Sequence, residues 1–169
     1  ASIPRVQLLG SGTILREALA AAELLEADWG VSGDVWSVTS FTELRRDGMD
    51  AERWNLLHPG EKARKAYVTQ QLERTAGPIV AATDYMRLFA DQIRGYIPRG
   101  RDYRVLGTDG FGRSDTRAKL REFFEVDRHF IVLSALRALS DEGLLPVAKL
   151  QEAVRKYGID PAKPNPMTA

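Results

Sequence analysis

The densest group of side chains able to do chemistry is Thr108-Asp109-Gly110-Phe111-Gly112-Arg113-Ser114-Asp115-Thr116-Arg117, where carboxylates, hydroxyls and guanidiniums alternate around two glycines. On one reading Asp109 and Asp115 cap a turn and a helix, and Arg113 and Arg117 answer them as ion pairs. On the other the segment is a contact loop at a domain or subunit interface. Arg113 and Arg117 then grip an acidic group from outside, because a guanidinium matches a carboxylate in fork geometry. The sequence leaves both readings open.

Gly10-Ser11-Gly12 is a second candidate, since glycines let a backbone approach a phosphate and a following helix start attracts anions. A dinucleotide fingerprint would place glycine at Leu15 and an acid at the close of the second strand, where Val38, Thr39 and Ser40 stand. No Walker lysine follows, so a structural turn is expected. His58 and His129 are the only histidines, too few for a His-rich metal site. His58, before Pro59, reads as a hydrogen-bonding loop residue and a further contact candidate, and His129 as partly packed. With no cysteine there is no disulfide, thiolate metal site or cysteine nucleophile. Serines 11, 114 and 134 lack the Gly-x-Ser-x-Gly elbow of a hydrolase.

These residues sit in a chain of 169, enough for one core and for burying about 70 % of the unfolded surface. Composition is that of a globular domain, 44 % hydrophobic and 28 % charged. No apolar run approaches the roughly eighteen residues of a membrane span, and the absence of cysteine suits a reducing cytoplasm. Net charge is +1 with both signs interleaved, so neither nucleic acid nor acidic membrane is an expected partner.

The elements that must hold these groups alternate in type. Arg5–Leu9 predicts a strand and Ile14–Ala27 a helix, followed by a second strand at Asp34–Thr39. Phe41–Arg46 and Asp50–Leu57 read as two short helices broken at Asp47-Gly48, and Lys62–Arg74 as a third. Ile79–Ala82 predicts the next strand. A helix capped by Asp84 follows, with Tyr85, Leu88, Phe89, Gln92 and Ile93 on its apolar face. Tyr103–Gly107 is a fourth strand, and Asp115–Phe124, a helix from Asp127 and Val147–Tyr157 complete the pattern. The helix from Asp127 is apolar enough to predict association or an exposed patch. Ala1–Pro4 has no capping feature and reads as linker, and Pro161–Ala169 as irregular. Strands spaced by helices give a three-layer α/β fold, a mainly parallel sheet of about five strands with helices on both faces.

Several strings also resemble one enzyme family. They are Val6-Gln7-Leu8-Leu9-Gly10-Ser11-Gly12, Asp34 to Leu44, Arg53-Trp54-Asn55 with Leu57-His58-Pro59, Thr83-Asp84-Tyr85-Met86 with Leu88-Phe89-Ala90, and Leu106 to Arg117 running on to Phe124-Glu125-Val126-Asp127. Asn165-Pro166 fits as well. The family is the homodimeric bacterial pyruvate dehydrogenase component, and the likeness covers nearly the whole chain. Lys65-Ala66-Tyr67 departs from it, since the family has proline before the tyrosine.

The resemblance implies a transketolase-like C-terminal domain spanning 1–169 of a three-domain enzyme. That enzyme decarboxylates pyruvate and acetylates the lipoyl group of a transacetylase. It implies thiamine diphosphate and magnesium in the whole enzyme, held between the other two domains, and none here. The family's Gly-Asp-Gly segment is only approached by Thr108-Asp109-Gly110, so no catalytic, cofactor or metal residue is assigned. The expected role is architectural: bracing the dimer and shaping the approach to an active site built elsewhere. Two rivals are a free-standing anion- or nucleotide-binding module using the loops at Gly10–Thr13 and Thr108–Ser114, after strands expected to be neighbours, and an independent small enzyme.

Overall fold

The computed structural model describes residues 3–169, so Ala1 and Ser2 of the stretch read as linker lie outside the described residues. Four parallel strands form the sheet, one fewer than expected: β1 (Arg5–Gly10), β2 (Ser32–Ser37), β3 (Ile79–Ala82) and β4 (Tyr103–Leu106), in the spatial order β2-β1-β3-β4. Around it lie α1 (Leu15–Trp29), α2 (Phe41–Leu57), α3 (Tyr67–Leu72), α4 (Arg87–Asp91), α5 (Arg117–Phe123), α6 (Arg128–Asp141) and α7 (Val147–Lys156).

Side-chain alternation along the strands divides the core into two layers. Val6 and Leu8 of β1, with Val80 and Ala82 of β3, pack against Ile14, Ala18, Ala21 and Leu25 and against Ile131, Ala135 and Leu136 of α6. Leu9, Ile79 and Ala81 face the other way, onto Phe41, Val68, Leu72, Ala90 and Ile93. The apolar helix α6 is therefore absorbed inside this layer, with Ile131, Val132, Ala135, Leu136, Ala138 and Leu139 buried, and supplies no exposed patch. Gln7 is the polar exception among the buried residues of β1. Fully buried, it donates to Asp34 Oδ2 (2.8 Å) and the Ala76 carbonyl (3.1 Å) and accepts from Trp36 Nε1 (2.8 Å). Its amide thus ties β1 to β2 with no unmet hydrogen bond.

Several boundaries differ from the sequence reading. β2 starts two residues early because Ser32 and Gly33, poor strand formers, complete the ladder opposite Arg5 and Val6. Phe41–Leu57 is one helix, capped by the Ser40 hydroxyl on the Glu43 amide (3.1 Å), and Asp47-Gly48 does not break it. Gly48 is there for packing: a β-carbon would lie 2.5 Å from the Tyr96 ring.

The helix expected over Lys62–Arg74 is confined to Tyr67–Leu72. Upstream, Asn55 takes both backbone groups of Arg64, accepting from its N–H (2.7 Å) and donating to its carbonyl (2.9 Å), which removes the partners a helix would need. Asp84 caps nothing, and α4 shrinks to five residues. The Tyr85 N–H goes to Thr83 Oγ1 (3.2 Å) and its carbonyl accepts from the Thr108 N–H (2.9 Å), so this backbone is committed to the β4 loop. The helix predicted from Asp115 begins at Arg117, because the Thr116 hydroxyl, accepting from the Lys119 amide at 3.4 Å, is the N-cap.

Candidate functional site

In a parallel α/β sheet the loops leaving the carboxyl ends of the strands are where ligands and partners meet the fold. Here the turn after β1 and the loop after β4 line one cleft of about 520 Å³ with Thr13, Asp84, Thr108, Phe111, Arg113 and Arg117 in its wall. The two strands are not neighbours as expected, since β3 lies between them. The cleft forms because Asp84, at the end of β3, bridges the gap. Its carboxylate accepts from the Thr13 hydroxyl (3.1 Å), and its carbonyl accepts from the Thr108 hydroxyl (2.7 Å).

The five singled-out residues have separate fates. Asp109 does not cap a turn by itself. It accepts from the Arg87 amide (3.3 Å) and faces Arg87 Nε at 3.3 Å, which moors the loop to α4. Asp115 accepts from the adjoining Thr116 amide (2.6 Å). Neither answers Arg113 or Arg117. Arg113 instead lies 4.1 Å over the Phe123 ring, and among the described residues neither arginine has a carboxylate partner. His58 is a loop residue as read: its Nδ1 meets the Trp54 carbonyl at 2.8 Å and its ring stacks on Trp54 at 4.3 Å, with Arg64 also 4.1 Å from that indole. None of those groups lines the cleft. His129 is partly packed, stacked on Tyr157 at 4.5 Å.

The C-terminal tail reaches the same loop. Lys163 donates to the Phe123 carbonyl (2.6 Å) and to Glu125 Oε1 (3.1 Å), and Pro166 is buried against Gly110. A β-carbon on Gly110 would sit 2.2 Å from the Pro166 carbonyl oxygen. The partner of Asp109 decides whether Thr108-Asp109-Gly110 can hold thiamine diphosphate and magnesium. The Asp109 carboxylate is already engaged by the Arg87 amide and faces Arg87 Nε at 3.3 Å, which leaves it unsuited to a magnesium ion, so these residues do not fit the cofactor even though Gly110 lies exposed on the cleft. The turn at Gly10–Thr13 suits an anion no better, because the Asp84 carboxylate stands at Thr13.

The strongest polar knot escaped the sequence reading. Glu17, 5 % exposed, accepts from Arg121 Nη1 (3.1 Å), the Arg128 amide (2.9 Å) and Arg128 Nε (3.0 Å), joining α1 to the last turn of α5 and the start of α6. Burial pushes this carboxyl up, but the hydrogen bonds and charges of Arg128 and Arg121 bring it below the usual range. Asp127, the N-cap of α6 on the Phe130 amide (2.9 Å), goes the other way: burial raises it against that hydrogen bond. A signal for Glu17 was present, an acid interrupting the apolar stripe Ile14, Ala18, Ala21 and Leu25.

Residues 1–127 match the model of the transketolase-like C-terminal domain. The chain belongs to that family. Among transketolase-like chains of known structure, a split-gene transketolase described as an inactive β4 tetramer shares the fold, with a TM-score of 0.58 and 18 % identity over 82 % of this chain and 40 % of the other. Much higher similarity is found to proteins named pyruvate dehydrogenase E1 component. The chain is 61 % identical to that of Cupriavidus necator and 54 % identical to that of Escherichia coli K12, in each case over 98 % of its length. The Pseudomonas aeruginosa protein is 60 % identical over 96 %. The chain spans 18 % of the length of each of these relatives. Beyond the family match, α6 and α7 are thus also shared with them.

Proposed function

We propose that this transketolase-like domain is the C-terminal part, 1–169, of a three-domain, homodimeric, cytoplasmic pyruvate dehydrogenase component. It braces the dimer and shapes the approach to an active site built by the other domains. The observation that carries this reading is the 61 % identity over 98 % of the chain to a pyruvate dehydrogenase component more than five times its length. In the whole enzyme, pyruvate is decarboxylated with thiamine diphosphate and magnesium, and the acetyl group passes to the lipoyl arm of the transacetylase. The residues here take no chemical step in that sequence. Asp109 fixes the loop after β4 through Arg87, and Arg113 and Arg117 are left to meet carboxylates from a neighbouring domain or subunit. The rival anion-binding module is disfavoured by the Asp84 carboxylate at the Thr13 turn.

The test is pyruvate-dependent acetylation of a lipoyl domain by the full-length polypeptide, with dimerisation followed by sedimentation. Turnover should depend on added thiamine diphosphate and magnesium. The Arg113→Ala/Arg117→Ala pair should weaken the dimer or lower kcat without altering the cofactor requirement. A full-length protein that dimerises yet neither binds the cofactor nor consumes pyruvate would overturn the reading.

A further inference from the structure

The segment that leaves β3 is apolar on two opposite sides. Ala90 and Ile93 point inward and are fully buried, whereas Tyr85, Met86, Leu88 and Phe89 point out, Leu88 being 66 % exposed. Exposed apolar side chains gathered in one patch mark a surface that another element covers, and this patch is bare among the described residues. The bare side is a fixed platform. The Tyr85 backbone is bonded to Thr83 and Thr108, Arg87 is held by Asp109, and the Tyr85 and Phe89 rings pack on one another at 5.6 Å. Beside it the cleft carries the exposed Phe111 ring and the two arginines that lack a carboxylate.

We infer that this platform and cleft mouth form one docking face, covered by the remainder of the longer polypeptide, through an apolar surface edged with carboxylates that reach Arg113 and Arg117. The choice of occupant rests on the function proposed above and on two observations. The chain spans 18 % of its relatives' length, so the larger part of such a polypeptide lies outside it, and neither arginine at the rim of the face has a carboxylate partner among the described residues, Arg113 resting only on the Phe123 ring. Aromatic and arginine side chains around an apolar centre are also the composition of energetically important interface positions.

The three methionines of the chain supply an internal measurement, because Met49, Met86 and Met167 are almost equally exposed at 48, 50 and 50 %. The full-length protein is treated with dilute hydrogen peroxide together with a short methionine peptide, and sulfoxide at each position is followed by mass spectrometry. Met86 should oxidise about tenfold more slowly than the peptide, since a covered thioether is withheld from the oxidant. Leu88→Asp in the full-length protein should restore it. A Met86 rate near that of the peptide in the unaltered protein overturns the inference. So does protection that vanishes on dilution to separate subunits, which would put a second copy on the face. Pyruvate turnover is scored separately. Turnover with a freely oxidised Met86 defeats the docking face alone, and a protected Met86 without turnover upholds it while defeating the enzymatic reading.

Discussion

Replacing Glu17 should expose how much of this domain's cohesion depends on one buried carboxylate. The group is 5 % exposed and serves Arg121 and Arg128 from two different helices. Breaking a buried ion pair from one side costs about 3–5 kcal/mol, because the partner's charge is stranded. Here the partners are not deeply stranded: the Arg128 side chain is 46 % and that of Arg121 22 % exposed, so both can turn to water. The low end, about 3 kcal/mol, is therefore expected for Glu17→Ala, and about 2 for Glu17→Gln, which keeps an acceptor. With a urea slope of about 2 kcal/mol/M, the alanine variant should unfold at a midpoint about 1.5 M lower.

The sign of the pH dependence provides a second check. The folded carboxyl sits below its ordinary value of 4.5. Its contribution should be complete above that pH and fade as pH falls through the folded value. The gap between wild type and Glu17→Gln should accordingly be constant from pH 6 to 8 and close under acid conditions. A gap within about 0.5 kcal/mol at pH 7, the size of an ordinary surface substitution, would refute the knot.

Asp127 is raised by burial, so ionising it opposes folding as pH rises. Asp127→Asn keeps a good N-cap and should be neutral or stabilising near pH 7, whereas Asp127→Ala should cost about 1 kcal/mol in a denaturant titration. Gly48→Ala would normally strengthen a helix, but the new methyl would strike Tyr96 and disturb its bond to Glu52, so a net loss of about 1 kcal/mol is expected in thermal unfolding. Lys163→Met removes the bonds to the Phe123 carbonyl and Glu125, the latter at φ 62°, and should lower Tm by about 4 °C for a loss near 1.5 kcal/mol. An unchanged Tm would mean that the tail does not hold α5.

The strands were legible in the sequence where side chains alternate or run apolar, as at Arg5–Gly10 and Ile79–Ala82, because burial on both faces of a parallel sheet imposes that composition directly. So were Asp127 as a cap and the apolar face of α6, since both rest on local spacing. The family strings were legible as well, and the comparisons bear them out. The exclusion of cysteine chemistry follows from composition alone.

Other features depended on partners far away in the chain. Gly48 reads as a helix breaker until Tyr96 is seen against it, and Asp84 reads as a cap until Thr13 takes its carboxylate. On one reading of the sequence Arg113 answers Asp109, but the start of α4 brings Arg87 to it from 22 residues away. Which of the apolar residues at 85–93 turn inward was likewise set by Thr108, which captures the Tyr85 carbonyl. The sequence by itself determined the layer architecture and the family, because periodicity and composition are local and additive along the chain. The polar partnerships, the packing of Pro166 against Gly110 and the bare platform beside it were decided only in the tertiary structure, because hydrogen bonds and close packing depend on which distant backbone arrives within about 3 Å.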